Sequence, residues 1–357
     1  MDLAIGDFVA RGVLAPLARP LRTASGEIPA APLVLIDIPT VGGPVGHAYL
    51  FAYTPVVLKA LLALIGDLAP MLRGKPAAPA TRYAEFERSF RLLGRQGLLG
   101  MAISGIDMAL WDAQGKAADR AVAEMLGGRC APIAAYDSYG MVDPQADRRS
   151  LEDSVARGFQ AIKIKAGDGD LARDVAMVGG VREIIGPSIR LMIDYNQSQT
   201  AAEAIRRLRR LAVFDLHWVE EPVPAEDLIG HAQVRRESGV AVQTGENWWF
   251  GHDMARAIAA GACDFAMPDL MKIGGVTGWL RAMGQAEAAG IPVSSHLFVE
   301  ASAHVLAVTP TAHWLEFLDV AGAVLQRPAL VENGAVTPRG PGLGIDWDET
   351  AVRRYSV

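Results

Sequence analysis

The chain of 357 residues contains only two cysteines, Cys130 and Cys263, far apart in the sequence. Neither belongs to a CxxC pair, so a zinc or dithiol motif is absent and a disulfide framework is not expected. The cytoplasm is the expected compartment. Basic character is also scarce. Lys and Arg number 34 against 40 Asp and Glu, a net charge of −6 with no basic stripe, which argues against a nucleic-acid binder. The most apolar long stretch, "VVLKALLALIGDLAPML", is interrupted by Lys59, Asp67 and Pro70, and reads as an amphipathic helix instead of a membrane span. The opening "MDLAIGDFVARGVL" lacks the basic and apolar regions of a signal peptide.

What remains is an ordinary enzyme composition, 51% hydrophobic and 21% charged, on a chain long enough for two domains or one large barrel with an attachment. Residues 1–60 read as strands and turns, with "ARPLRTASGEIPAAP" (18–32) expected as a mobile loop because it is rich in Pro, Gly, Ser and Ala. Residues 55–127 carry helical spacing, and "LGGRCAP" (126–132) marks a helix stop and domain boundary. From 133 onward eight short apolar runs recur: "PIAAYDS", "AIKIK", "RLMIDYN", "LHWVEEP", "VAVQTGEN", "FAMPDL", "PVSSHLF" and "HWLEFLD". Helix-like segments separate most of them. Strand–helix alternation predicts a parallel sheet of the α/β class, and eight strands predict a closed barrel. The tail reads as strands and turns folding back on the first domain. The expected organisation is therefore 1–130, 131–325 and 326–357.

Nearly every run ends in ionisable groups. The second carries Lys163 and Lys165, two apart and so on one side of a strand, where like charges are unfavourable unless something compensates them. Asp194, Glu220, Glu246, Asp269 and His296 follow at intervals of roughly 23–27 residues, about one βα unit each, so successive strands would deliver them to one barrel mouth. A single carboxylate ending a strand is often the N-cap of the next helix. Three on consecutive strands would repel, and a hard cation resolves this; oxygen-only ligands favour Mg²⁺ over Zn²⁺. Asp269 would orient His296. Glu316, on the eighth run, is a cap, an ion-pair partner or, in a crowded acidic mouth, a carboxylic acid that donates a hydrogen bond. The other six histidines (His47, His217, His231, His252, His304 and His313) read as structural or surface residues.

This arrangement resembles the enolase superfamily, specifically its mandelate racemase subgroup. The match runs nearly end to end, through "APLVLID", "YLFAYTP", "IDMALWDA", "DYNQS", "EEP", "GENW", "MKIGGVTGW" and "SSHLF". The resemblance implies a (β/α)7β modified TIM barrel with an N-terminal α+β capping domain completed by the C-terminal segment, Mg²⁺ as cofactor, and a homo-octamer. It implies Asp194, Glu220 and Glu246 as metal ligands, Lys165 and His296 as bases on opposite faces of the substrate, and Asp269 as partner of His296. Lys163 and Glu316 would act on the substrate carboxylate. Ser138, Asn196 and Lys272 match positions that line or support the family's site. Leu21, Ile28, Phe51, Tyr53, Leu297 and Leu318 match its specificity positions and suit a phenyl or vinyl group. The implied activity is racemisation of a 2-hydroxy acid through an enediolate, acting on a small molecule, with neither nucleic acid nor membrane as partner. Arg19, Arg22 and Glu27 depart from an apolar lid and favour a polar or anionic side chain. The alternatives are an acid-sugar dehydratase on the same scaffold and a non-catalytic descendant, which should have lost some of these residues.

Overall fold

The computed structural model describes residues 3–23 and 26–357. Met1 and Asp2, in the stretch read for a signal peptide, and Ala24 and Ser25, in the expected loop, lie outside it. The chain begins with a three-stranded antiparallel sheet, β1 (Val9–Thr23), β2 (Gly26–Pro39) and β3 (Val45–Phe51). The stretch 18–32 is therefore largely a paired hairpin instead of the expected mobile loop: Ala15 pairs with Ala31 and Leu21 with Ile28. Pro20, on the edge strand β1, and Pro29, opposite it, fall where the register shifts between Pro16 and Leu21, so a missing N–H breaks no ladder there, whereas Pro32 sits on the central strand β2 opposite Leu14.

Two helices, α1 (Leu58–Leu72) and α3 (Leu98–Ala117), cover this sheet, and α2 (Pro79–Ser89) packs against α3. By length and composition the segment Pro55–Leu72 would suffice to cross a membrane. Here its Leu58, Leu61, Ile65, Leu68 and Leu72, at helical spacing, are buried against β1, β2 and α3. Helix α3 is apolar on nearly every side because it is surrounded, with β3 on one flank. A Cβ on Gly46 would fall 2.0 Å from the Ala109 carbonyl oxygen, so β3 meets α3 at a distance only glycine permits.

A short α4 (Val122–Met125) leads into the barrel. Its order is β4 (Ile133–Met141), α5 (Arg148–Ala156), β5 (Ala161–Lys165), α6 (Leu171–Ile185), β6 (Arg190–Asp194), α7 (Ala201–Leu211), β7 (Leu216–Glu220), α8 (Leu228–Glu237), β8 (Val242–Thr244), α9 (Phe250–Ala259) and β9 (Phe265–Ala266), followed by α10 (Leu270–Ile273) and α11 (Gly275–Ala289). Residues 293–296 take the seventh strand position through bridges Ala266–Val293 and Asp269–His296. Then come α12 (Val299–Leu306) and β10 (Leu315–Phe317), which pairs parallel with β4 and closes the ring. Seven βα units and a final strand result. The interior is filled, not hollow: Tyr136, Ala161, Met192, Trp218 and Trp314 pack beneath the mouth.

The tail forms β11 (Val331–Glu332), β12 (Ala335–Val336) and α13 (Glu349–Tyr355). β12 pairs with the start of β4. The rest returns to the first sheet: Trp347 donates its indole N–H to Asp37, Arg11 pairs with Glu349 at 2.7 Å, and Ser356 bridges Val13.

Candidate active site

Parallel register aligns the ionisable residues. Lys165 pairs with Asp194 and Asp194 with Glu220, so three neighbouring strands present them at one level. Glu246 follows β8 by two residues. All three carboxylates are buried, and one oxygen from each lies within 4.8 Å of the others. Neither Glu220 nor Glu246 caps a helix. Asp269 does both jobs: one oxygen caps α10 by accepting from Met271 N–H, and the other meets His296 Nδ1 at 2.7 Å. Asp170 and Asp227 are plain N-caps.

The two lysines are compensated from both sides. Lys163, only 2% exposed, lies against Glu220 and 2.8 Å from Glu316. Lys165 reaches Asp194 at 2.9 Å and also contacts Asn196. Burial pulls the Lys165 ammonium down, as does Lys163, but Asp194 and Glu246 outweigh them and its pKa is raised.

Of the three readings the sequence left open for Glu316, the structure shows the ion pair, with Lys163. Burial alone would favour the protonated acid, but Lys163 and His296 bring its pKa to about 2, and it accepts from Leu297 N–H at 2.9 Å. Glu220 goes the other way. Burial, with Asp194, Glu316 and Glu246 around it, pushes it up to about 8 despite Lys163. That is the signature of excess negative charge awaiting a cation, and three clustered carboxylates fit a hard divalent ion. His296 is lowered by burial and raised more by Glu246, Glu316 and Asp269, to about 9, a shift that favours the imidazolium.

These side chains surround a cavity of about 460 Å³. Leu21, Ile28, Phe51, Tyr53, Ser138, Lys163, Lys165, Asp194, Asn196, Glu246, Lys272, His296, Leu297, Glu316 and Leu318 all line it. Glu220 and Asp269 stand behind this surface. Sequence reasoning missed three lining residues as site residues: Thr23, Gln197 and Asn247. Asn247 bridges Lys272, at 2.6 Å, to Glu221, at 2.7 Å. Its place beside Glu246 in "GENW" was the available signal. For Gln197 the signal was its place beside Asn196 in "DYNQS", and it reaches the cavity through a left-handed turn shared with Asn196.

The charged lid residues do not enter the cavity. Arg19 forks onto Asp137 at 2.8 Å and the Ser138 carbonyl at 2.7 Å, stacked over Tyr139, while Arg22 pairs with Asp147. Glu27 is exposed. The lid backbone lies so close to β4 that a Cβ on Gly140 would meet the Arg22 carbonyl oxygen at 2.3 Å. The arginines thus clamp the hairpin to the barrel, and its apolar Leu21 and Ile28 face inward. Arg19→Met should loosen the clamp and lower kcat/KM about tenfold, chiefly through KM, because lid contacts bind ground and transition states alike. Steady-state kinetics check this; a fall in kcat with KM unchanged would contradict the clamp.

Comparison with known proteins gives the family. The model for "Mandelate racemase / muconate lactonizing enzyme, N-terminal domain" matches residues 7–127, and "Enolase C-terminal domain-like" matches 146–351. The chain belongs to the enolase superfamily, in its mandelate racemase and muconate lactonizing enzyme branch. A Bradyrhizobium enolase crystallised with magnesium and mandelic acid is 56% identical, with a TM-score of 0.98 over 100% of this chain and 99% of that one. The 3,6-anhydro-alpha-L-galactonate cycloisomerase of Streptomyces coelicolor is 37% identical over 74% of each chain. The L-talarate/galactarate dehydratase of Salmonella typhimurium is 32% identical over 73% of this chain and 67% of its own.

Proposed function

We propose that this superfamily member is a Mg²⁺-dependent racemase of 2-hydroxy acids bearing an aryl or vinyl group, mandelate or a close relative. One observation carries the reading. A lysine on the second strand and a carboxylate-paired histidine on the seventh reach one cavity, beside a carboxylate triad and beneath an apolar lid. The whole-length similarity to a protein crystallised with magnesium and mandelic acid supports it.

A proton α to a carboxylate is far less acidic than any side chain, so a base alone does not remove it; the enediolate must be stabilised as it forms. Asp194, Glu220 and Glu246 would hold Mg²⁺, which would supply positive charge to stabilise the developing enediolate. Lys163 balances charge on the carboxylate. Lys165 takes or returns the α-proton on one face. His296, oriented by Asp269, does so on the other, and its imidazolium is the form that delivers the proton. An arriving substrate carboxylate would draw Lys163 from Glu316 and add a like charge, both of which favour protonated Glu316 as a donor.

Because the enediolate is common to both directions, Glu316→Gln should slow both by about two orders of magnitude, roughly 3 kcal/mol for one lost oxyanion-type donor. Separate kcat measurements from each enantiomer test this; a large loss in one direction only contradicts the role.

The second reading, acid-sugar dehydration, is favoured by the Salmonella dehydratase and by polar Gln197 and Asn247 in the cavity wall. Incubation with Mg²⁺ and a panel of 2-hydroxy acids and hexonates in D₂O separates the two. Racemisation gives α-deuterium with loss of optical rotation, whereas dehydration gives a 2-keto-3-deoxy acid. We further propose, from the family resemblance, a cytoplasmic homo-octamer, which sedimentation velocity tests for assembly.

A further inference from the structure

Tyr49 lies on β3 of the capping sheet and is not among the residues lining the cavity. It is buried at the seam with the barrel. Its ring stacks on Phe298, centroids 5.2 Å apart at 28°, and its hydroxyl donates to Glu300 at 2.8 Å. Glu300 is itself buried, 8% exposed, in the first turn of α12. No step of the proposed reaction uses it.

The segment between these contacts and the site is strained. Leu297 (φ 52°) and Phe298 (φ 50°) both take the left-handed conformation, directly after His296. Bulky residues hold that conformation only where their surroundings impose it. The barrel imposes part of it: Leu297 N–H donates to Glu316, and Ser302 Oγ donates to the Leu297 carbonyl at 2.7 Å. The Ser302 N–H also donates to the Phe298 carbonyl at 2.7 Å. A further restraint comes from the other domain, because Tyr49 covers Phe298 and ties down Glu300 beyond it.

We infer that Tyr49 and Glu300 form a cross-domain positioning pair that holds the strained 297–298 turn and thereby sets the His296 imidazole against the α-carbon. The inference rests on the reading of His296 as the base for one enantiomer. It assigns the capping domain a part in one half of the proton transfer, in addition to its part as a lid. Lys165, on the far side of the mouth, has no such link to β3, so the two faces should respond differently.

The test uses the full chain with Mg²⁺ and each mandelate enantiomer in D₂O. Tyr49→Phe keeps the stacked ring and removes the hydroxyl. It should slow α-proton exchange of the enantiomer facing His296 about tenfold, the upper size of one lost buried hydrogen bond, and leave the other within about twofold. Glu300→Gln still offers Tyr49 a carbonyl acceptor and should lose less than Tyr49→Phe. A second readout needs no substrate: hydrogen exchange of the Leu297 amide, read by NMR, should speed up in Tyr49→Phe. Equal slowing of both enantiomers, or no slowing, would mean a merely structural contact and overturn the inference. An unchanged Leu297 amide overturns it as well. If the unsubstituted protein exchanges neither enantiomer, mandelate is excluded as the substrate, and the amide readout alone decides the positioning pair.

Discussion

His296→Asn should end racemisation, a loss of about 10³-fold or more given what one general base contributes, yet leave the protein able to exchange one enantiomer's α-proton. Asparagine offers Asp269 a donor in place of Nδ1, and Asp269 still caps α10 through Met271, so the buried carboxylate keeps partners. The carboxylate triad, Lys163 and Lys165 are untouched. Lys165 can then remove the proton on its own face and return deuterium from D₂O to that face, with retention. By resemblance to the family this is the S enantiomer. Lys165→Met removes the other base, and exchange should survive only for the R enantiomer. NMR of recovered substrate, with chiral analysis, reads both. The residual rate is less informative than its pattern, since each lost side chain also alters the charge balance of the mouth. Should either variant exchange both enantiomers equally, a single shared base is at work and the two-face assignment fails.

Removal of Mg²⁺ should abolish activity altogether, and its return should restore it. The three carboxylates lie within 4.8 Å of one another and are buried, a repulsion that Lys163 and Lys165 relieve only in part. A dication offsets the remainder, so it should also stabilise the fold. At a hundredfold excess over Kd the gain is about 2.7 kcal/mol, visible as a rise in Tm. Glu246→Ala removes one ligand of three. Its affinity for Mg²⁺ should fall by more than the roughly 10–100-fold typical of losing a partner behind the ligands. Calorimetric titration with Mg²⁺ and thermal melts read this without any assay of turnover. Undiminished activity in excess EDTA, together with a Tm that ignores Mg²⁺, would remove the triad from the mechanism.

The closed barrel was legible because its signals are local and repeated. A buried parallel strand needs a short apolar run, a βα unit needs a fixed length, and chemistry at the C-terminal ends puts a polar residue at each run's last turn. "KIK" followed by Asp194, Glu220, Glu246, Asp269 and His296 at that interval leaves little freedom in where they meet. The hairpin at 18–32 was not legible. Its composition reads as loop, and only the partner strand in space supplies the hydrogen bonds that make it β.

Charge state was the other thing hidden from the sequence, since a pKa depends on neighbours that are distant along the chain. Lys163 and Glu316 are separated by most of the barrel yet lie 2.8 Å apart, and this contact, with His296, lowers the Glu316 pKa against burial. Arg19 and Arg22 look like lid charges in sequence. They are clamps in the fold because Asp137 and Asp147 stand beneath them. The sequence by itself determined which residues are delivered to the mouth, because register and period are properties of the chain. Only the tertiary structure decided which of them face the cavity, which neutralise one another and which hold the turn at Leu297 and Phe298, because those depend on through-space distances between strands that the chain order does not contain.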